Sequence, residues 1–194
     1  LDFKLNSTVV SISKNKKHIF IAISVDEGER FTIGSIKFLG KIPDDKIAGS
    51  YGSATIEELK NELLIMKGDL FNRKLVNESS TNMTKKLGNY GYAFANLNAV
   101  PTIDKIKNVV DFDFYIEPGK KIYVRRINIV GNEKTKDKVI RREMRQFESS
   151  WFSQEKVDRS KTRLTRTQFF DRVDIETPGV AGVPDQIDIN VKVE

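Results

Sequence analysis

The sequence predicts an α+β fold of tandem modules, each with the order β-α-α-β-β and with a three-stranded sheet packed on two helices. Three observations lead to this prediction. Apolar residues alternate at two-residue spacing in several runs, as they do in strands, and between those runs they recur at helical spacing. A strand-turn-strand stretch also occurs twice. When the two copies are aligned, Gly28 corresponds to Gly119 and Gly40 corresponds to Gly131.

Residues 1–26 show two strand patterns and no helix pattern. The first runs from residue 8 to residue 12, and the second alternates over residues 19–25, where we expect a half-buried strand. A two-stranded hairpin is not stable by itself in water. We therefore interpret residues 1–26 as the closing hairpin of a preceding module. Because the chain begins at Leu1 and shows no signal-like segment, we also expect it to be a piece of a longer protein.

Two helices are predicted in the first module, residues 27–117. Thr55 begins a capping-box sequence, and Asn72 is the expected N-cap of the second helix, with Phe71 and Val76 at the spacing of a hydrophobic staple. The stripe predicted for the first helix consists of Ile56, Leu59, Leu63 and Met66. A Gly- and Pro-containing connection, residues 40–54, precedes these helices and has a much shorter counterpart in the second copy.

The second module, residues 118–194, begins with a strand whose apolar phase shifts between Arg125 and Arg126, which predicts a β-bulge there. A helix is then predicted from Thr135 onward, and Ser153 is the expected N-cap of the next helix. The stripe predicted for the helix after Thr135 consists of Ile140, Met144, Phe147 and Trp151. On a different face the same periodicity places Arg141, Arg142, Arg145 and Glu148, a compact charged surface.

Each module is expected to end in a hairpin whose closing strand is central in the sheet. The closing strands, residues 110–116 and 187–193, alternate most strongly, which leaves residues 94–100 and 172–176 as edge strands. A free edge can accept an extended peptide through main-chain hydrogen bonds. Charges discourage pairing at the second of these edges. The predicted strand-addition site is therefore Phe94, Ala95, Asn96 and Leu97.

The sequence contains no catalytic constellation, so we do not expect an enzyme. Cysteine is absent, His18 is the single histidine, and no nucleophile, phosphate loop or carboxylate pair has the neighbours that catalysis needs. We expect no cofactor and no metal. Most of the net charge of +6 lies in residues 118–194, which fits either an acidic partner or membrane surface, or a solvated basic face. Gly88, Gly91 and Tyr92 keep a tandem nucleic-acid-binding module open as an alternative.

Several motifs of the second module resemble the POTRA domains of the outer-membrane β-barrel assembly factors. They are EPGKKIYVRRINIVGN, VIRREMRQFE, VDRSKTRL and PDQIDINVKVE. The resemblance covers the whole chain, with residues 27–117 similar to a fourth domain, residues 118–194 to the fifth, barrel-proximal domain, and residues 1–26 to the end of a third. The module pattern alone also fits the division protein FtsQ, the assembly factor TamA or a two-partner secretion transporter.

The resemblance implies a scaffold on the periplasmic face of the outer membrane of a Gram-negative bacterium. Its implied partners are a BamD-like lipoprotein and other lipoproteins of the assembly complex, unfolded outer-membrane proteins and a C-terminal β-barrel beyond this chain, with no nucleic acid. By position, the lipoprotein would dock on Arg141, Arg142, Arg145 and Glu148.

Overall fold

The computed structural model describes residues 4–26, 28–41 and 55–194. The connection predicted at residues 40–54 therefore lies mostly outside the described residues. The elements before the second module are β1 (Lys4–Ile12), β2 (Ile19–Asp26), β3 (Thr32–Gly40), α1 (Ile56–Lys60), α2 (Arg73–Asn89), β4 (Asn96–Asp104) and β5 (Val109–Glu117). Those of the second module are β6 (Tyr123–Val130), α3 (Asp137–Glu143), α4 (Gln154–Arg166), β7 (Val173–Glu176), β8 (Gly179–Val180) and β9 (Val183–Val193).

The first two strands form an antiparallel hairpin with both faces open to solvent. The residue pairs run from Lys4 opposite Asp26 to Ile12 opposite Ile19. The expectation of a half-buried second strand is wrong for this chain, because every residue of β2 is exposed. No described helix packs on the hairpin, and none of the described residues buries its apolar side chains.

Each module has its closing strand in the centre of the sheet, as expected; the first sheet has the predicted three strands and the second has a fourth, β8. The strand order is β3-β5-β4 in the first sheet and β6-β9-β7 in the second, where the short β8 also pairs with β9. In both sheets the first strand runs parallel to the closing strand, and the remaining strands run antiparallel to it. The helices of each module cover one face and bury an apolar core against it.

The bulge predicted beside Arg125 is confirmed and is present in both modules. The register of β6 against β9 shifts between Val124 and Arg126, and that of β3 against β5 shifts between Ile33 and Ile36. An aspartate of the closing strand lies opposite each bulge. Asp188 binds the guanidinium of Arg125, with oxygen–nitrogen distances of 2.8 and 2.5 Å. Its counterpart in the first module, Asp111, accepts the backbone N–H of Ser35. The hydrogen bond from Arg125 holds the pKa of Asp188 below its usual value.

Two repeated glycines end the first strands because no other residue fits there. Gly40 and Gly131 have φ values of +105° and +85°. A Cβ at either position would also collide with a backbone carbonyl oxygen of the neighbouring closing strand, at Ile116 and Val193 respectively. Both the left-handed backbone and the close approach of the strands therefore require glycine.

The predicted N-caps are confirmed. Asn72 accepts the N–H of the second helical residue at 2.9 Å, and Ser153 accepts the N–H of the third at 3.4 Å. Thr55 and Glu58 form the reciprocal capping box. These side chains satisfy donors that have no partner within the helix, which is why the helices begin where they do.

The first helix of each module is shorter than predicted. α1 ends at Lys60 and α3 ends at Glu143. The stripes extended to Met66 in one module and to Phe147 and Trp151 in the other are therefore wrong. Met66 is 72% exposed and Phe147 is 60% exposed, so neither belongs to a core.

A buried serine on the following helix explains why the chain leaves the helical path. The N–H of Leu64 donates to Ser79 Oγ at 2.9 Å, and that of Arg145 donates to Ser160 Oγ at 2.8 Å. Both serines are fully buried. Once these amide groups bond across to the second helix, they no longer extend the first helix with i→i−4 bonds.

Candidate interaction surfaces

The segment between α3 and α4 covers part of the outer edge of β6. Ser149 and Ser150 exchange backbone hydrogen bonds with Val124, at 2.7 and 3.0 Å, and the N–H of Phe152 donates to the carbonyl of Ile122 at 2.9 Å. The equivalent segment of the first module makes the same three bonds to β3. Both modules therefore close the first half of this edge with main-chain pairing.

Beyond that segment, two charged side chains bind the edge of β6 at a single residue. Glu148 Oε1 accepts the N–H of Ile127 at 2.8 Å, and Arg141 Nη2 donates to the carbonyl of Ile127 at 2.9 Å. Arg141 Nη1 also lies 3.3 Å from Glu148 Oε1, and its Nε lies 2.7 Å from a carboxylate oxygen of Asp137. Hydrogen bonds to Asp137 and then to Glu148 raise the pKa of Arg141. We call this arrangement the Ile127 clamp.

The other two predicted docking residues lie apart from the clamp. Arg142 is mostly exposed, with its Nε 3.4 Å from a carboxylate oxygen of Glu143. Arg145 is half-buried, donates to the carbonyl of Met144 at 3.2 Å, and lines a polar cleft of about 640 Å³ between α2 and α4. The expectation of one helical face is therefore wrong, because α3 ends before Arg145 and the chain is no longer helical there.

Gln146, which the sequence analysis did not select, organises the segment that carries Glu148. Its amide Nε2 donates to Ser150 Oγ at 2.7 Å and to the carbonyl of Trp151 at 2.9 Å. Its Oε1 accepts the N–H of Ser153 at 2.9 Å. A fully buried glutamine needs all of these partners. The repeat contained one indication that Gln146 is buried, because the corresponding residue of the first module is the apolar Ile65, which is buried.

The predicted client edge begins two residues later than expected. β4 starts at Asn96, so Phe94 and Ala95 are not strand residues. The N–H of Ala95 donates to the carbonyl of Tyr92 at 3.2 Å, which holds this stretch in a turn. The ring of Phe94 lies against Gly179 of the second module and is therefore part of the contact between modules.

The direction of the backbone groups along β4 follows from its pairing with β5. Pro101 lies opposite Phe112 and has no N–H to donate to β5. This is therefore a non-hydrogen-bonded pair, in which the main-chain N–H and C=O groups of the two residues point away from each other. Ile116 lies opposite Leu97. Its carbonyl points away from β4 and accepts the N–H of Lys41 at 3.2 Å. Leu97 and Ala99 share this phase, so they direct their N–H and C=O groups to the other edge of β4, which pairs with no described strand.

A groove of about 820 Å³ lies between β4 and the start of α2. Its apolar lining consists of Phe31, Phe71, Val76, Ala99, Ile103, Val110 and Phe112, and its polar lining includes Glu29, Arg73, Asn77, Asn98, Lys105 and Asn108. The rings of Phe71 and Phe112 stack with their centroids 5.9 Å apart. The groove runs beside the outward-facing groups of β4, so a peptide paired there would place alternate side chains against it.

The end of α2 and the turn after it contact the second module. The carbonyl of Gly91 accepts the N–H of Ile122 at 2.9 Å, and Ala93 packs against the second module's core. The ammonium group of Lys121 lies 5.7 Å from the ring centroids of both Tyr92 and Trp151. The two modules therefore share packing and hydrogen bonds in addition to their covalent junction.

The described residues contain no cluster of His, Asp and Glu side chains that could hold a metal ion. None of the helices described is both long and apolar enough to cross a membrane.

Two comparisons with known sequences agree with this architecture. A family model described as POTRA, surface antigen variable number repeat, matches residues 31–119 and 122–194. The outer membrane protein assembly factor BamA of Neisseria meningitidis serogroup B is 34% identical over 190 residues, which cover 98% of this chain and 23% of that protein. BamA of Buchnera aphidicola is 29% identical over 193 residues, 99% of this chain and 30% of that protein. The chain thus spans less than a third of these relatives.

Two solved structures have the same arrangement of modules. A crystal structure of Haemophilus influenzae BamA POTRA3-5 matches 99% of this chain and 72% of its own, with a TM-score of 0.81 at 28% identity. The crystal structure of Haemophilus ducreyi BamA lacking POTRA domains 1–3 matches 84% of this chain and 29% of its own, with a TM-score of 0.67 at 30% identity.

Proposed function

The chain belongs to the POTRA family and is homologous to BamA over nearly its whole length, and from that premise we propose that it is a non-catalytic periplasmic scaffold of outer-membrane protein assembly. In this role it binds accessory lipoproteins and unfolded β-barrel clients at the periplasmic face of the outer membrane. The relatives it matches are named as assembly factors rather than as enzymes. We place the module boundaries after residues 26 and 117.

The outer edge of β4, which no described strand pairs with, is the observation that best supports client binding. Leu97 and Ala99 direct main-chain groups outward, and the adjacent groove offers an apolar wall to alternate side chains. Clients that form β-barrels share an alternating apolar and polar pattern but no common sequence. Strand addition suits such clients because its affinity comes mainly from the main chain.

An NMR titration tests client binding directly. A synthetic peptide of about ten residues with the alternation of a barrel strand should shift the amide signals of Leu97 and Ala99. A peptide of the same composition in scrambled order, without alternation, is the control and should shift them less. If the alternating peptide leaves the signals along β4 unchanged, strand addition at this edge is excluded.

The lipoprotein surface is proposed at Arg141, Arg142, Arg145 and Glu148. Three of these side chains are more than two-fifths exposed, and they present both signs of charge within a short stretch. Such a patch gives a partner orientation as well as attraction. Arg145 differs because it is half-buried in the cleft between α2 and α4, so we expect its contribution to be smaller.

A charge reversal tests the lipoprotein surface. Glu148→Lys should weaken binding of the cognate lipoprotein at least tenfold in a titration, because losing one member of a charge pair that the interface buries costs about 2–5 kcal/mol. Glu133→Lys reverses an exposed charge nearby and is the matched control. Near-ultraviolet circular dichroism must show that both variants are folded, since Glu148 also binds β6. Equal affinity of both variants would exclude Glu148 from the interface.

A further inference from the structure

The Ile127 clamp closes a sheet edge with side chains rather than with backbone. Glu148 and Arg141 occupy the N–H and the C=O of Ile127, which both point away from β9. Since main-chain groups alternate in direction, those of Ile129 point to the same side. Among the described residues, Ile129 has no hydrogen-bond partner on that side. The clamp therefore occupies the first position of an edge that is open farther along β6.

The first module shows that this clamp is not a requirement of the fold. When the two modules are aligned so that Ser79 corresponds to Ser160, Lys60 corresponds to Arg141 and Lys67 corresponds to Glu148. A lysine ammonium cannot accept an N–H, so the first module lacks the acceptor that Glu148 provides. In the described part of that module, the side-chain hydrogen bonds near β3 involve Thr32 and Ser35, and none is made to the corresponding edge at Ile36. The sheet forms in both cases.

The clamp is also held in a way that allows release. The side chains of Arg141 and Glu148 are 43% and 44% exposed, so a partner can reach both. Asp137 already accepts a hydrogen bond from Arg141 Nε on the same helix at 2.7 Å, and this bond does not involve the strand. The ion pair between Arg141 and Glu148 is exposed and contributes only about 0–1 kcal/mol, so a partner's charges can replace that part of the clamp at little cost.

We propose that the Ile127 clamp is a releasable lock on a second strand-addition site, formed by Ile127 and Ile129 of β6. A docking partner that offers a cation to Glu148 and a carboxylate to Arg141 withdraws both side chains from the strand. The exposed row of N–H and C=O groups then accepts an extended client segment. This inference rests on the proposed function, because it links the lipoprotein surface to a client-binding edge.

Hydrogen exchange measures the lock without any partner. Glu148→Ala removes the acceptor, and exchange of the Ile127 amide should accelerate on the order of tenfold, as expected for losing a charge-assisted hydrogen bond. Glu148→Gln keeps an acceptor oxygen and should accelerate it less. Glu133→Ala removes an exposed carboxylate elsewhere and should not change it. The Val124 amide, which is bonded to the connecting segment, reports whether the module remains folded. Unchanged exchange at Ile127 in Glu148→Ala would overturn the proposal.

The alternating peptide then tests the occupant. It should shift the signals of Ile127 and Ile129 in Glu148→Ala and leave them in place in the wild-type chain. If these signals remain unshifted in Glu148→Ala, the second site does not exist. The wild-type signals of Leu97 and Ala99 on β4 decide the proposed function separately, so either idea can fail while the other stands.

Discussion

The side chain of Asn89, at the end of α2, accepts the backbone N–H of Glu155 in the first turn of α4 at 2.7 Å. The first N–H groups of a helix have no partner within it, and Ser153 satisfies only one of those in α4. The first module thus supplies part of the cap of a helix in the second. Folding of α4 and the orientation of the two modules are coupled through this bond.

Removing that acceptor should loosen the junction. Asn89→Ala is expected to destabilise the second module by about 0.5–2 kcal/mol, the usual cost of losing an N-cap, and to broaden the distance distribution between spin labels placed on the two modules. Asn89→Asp keeps an acceptor oxygen and should retain the wild-type distribution. Asn77→Ala, an exposed site on the same helix, is the control. A distribution for Asn89→Ala as narrow as that of the control would show that the bond does not fix the orientation.

Gly131 should tolerate no side chain. Gly131→Ala places a Cβ against the carbonyl of Val193 in a left-handed backbone, so we expect a loss of more than about 3 kcal/mol in the free energy of unfolding. Gly182 also has a positive φ, but its Cβ would meet open space. Gly182→Ala should therefore cost only about 1–2 kcal/mol. Urea denaturation compares the two, and equal losses would contradict the close approach of β6 to β9.

Proline substitutions along β4 should alternate in effect. Leu97→Pro and Ala99→Pro remove outward N–H donors, so they should weaken binding of the alternating peptide while the module stays folded. Asn98→Pro removes a donor to β5 and should unfold the sheet, at a cost of about 3 kcal/mol or more. Leu97→Ala shortens the side chain but keeps the donor, and it controls for packing. If Asn98→Pro is the milder change, then Asn98, rather than Leu97 and Ala99, directs its main-chain groups to the outer edge.

Tyr90 should titrate late. Burial, with help from its 2.7 Å hydrogen bond to Glu58, raises the pKa of Tyr90 to about 12. The stabilisation this implies is complete below the ordinary tyrosine value of about 10 and is lost as the pH rises towards about 12. An absorbance titration at alkaline pH should show a late component that Tyr90→Phe removes and Tyr115→Phe retains. A late component that survives in Tyr90→Phe would assign the raised pKa to another tyrosine.

The partner of Tyr90 should respond at the acidic end. The hydrogen bond from Tyr90 lowers the pKa of Glu58, so its contribution to stability is present above the ordinary glutamate value and is lost as the pH falls. In Tyr90→Phe the pKa of Glu58 should rise toward the ordinary value. Carbon-detected NMR of the carboxylate measures this directly, and an unchanged pKa in the variant would show that Tyr90 is not its main cause.

Local signals in the sequence predicted the elements that depend on neighbouring residues. The N-caps at Asn72 and Ser153 and the bulge beside Arg125 follow from side-chain type and spacing. The central position of the closing strands also followed, because strands buried on one face show the strongest alternation.

Contacts between distant segments explain what the sequence did not predict. Helical periodicity continued formally past Glu143, but the buried hydroxyl of Ser160 draws the chain away there. This change placed Phe147 at the surface and turned Glu148 towards β6. The family resemblance pointed to Arg141 and Glu148, and the structure does bring these two side chains together. They do not share a helical face, because α3 ends at Glu143.

The parallel pairing of the first and closing strands sets how each module responds to tension. The chain enters the second module at the start of β6 and leaves it at the end of β9, and these parallel strands lie side by side. A force that stretches the chain pulls them in opposite directions along their length, so all of their hydrogen bonds bear the load at once. An antiparallel pair pulled from adjacent ends would open one bond at a time. The same geometry recurs in β3 and β5, so the two modules form a tether that resists extension.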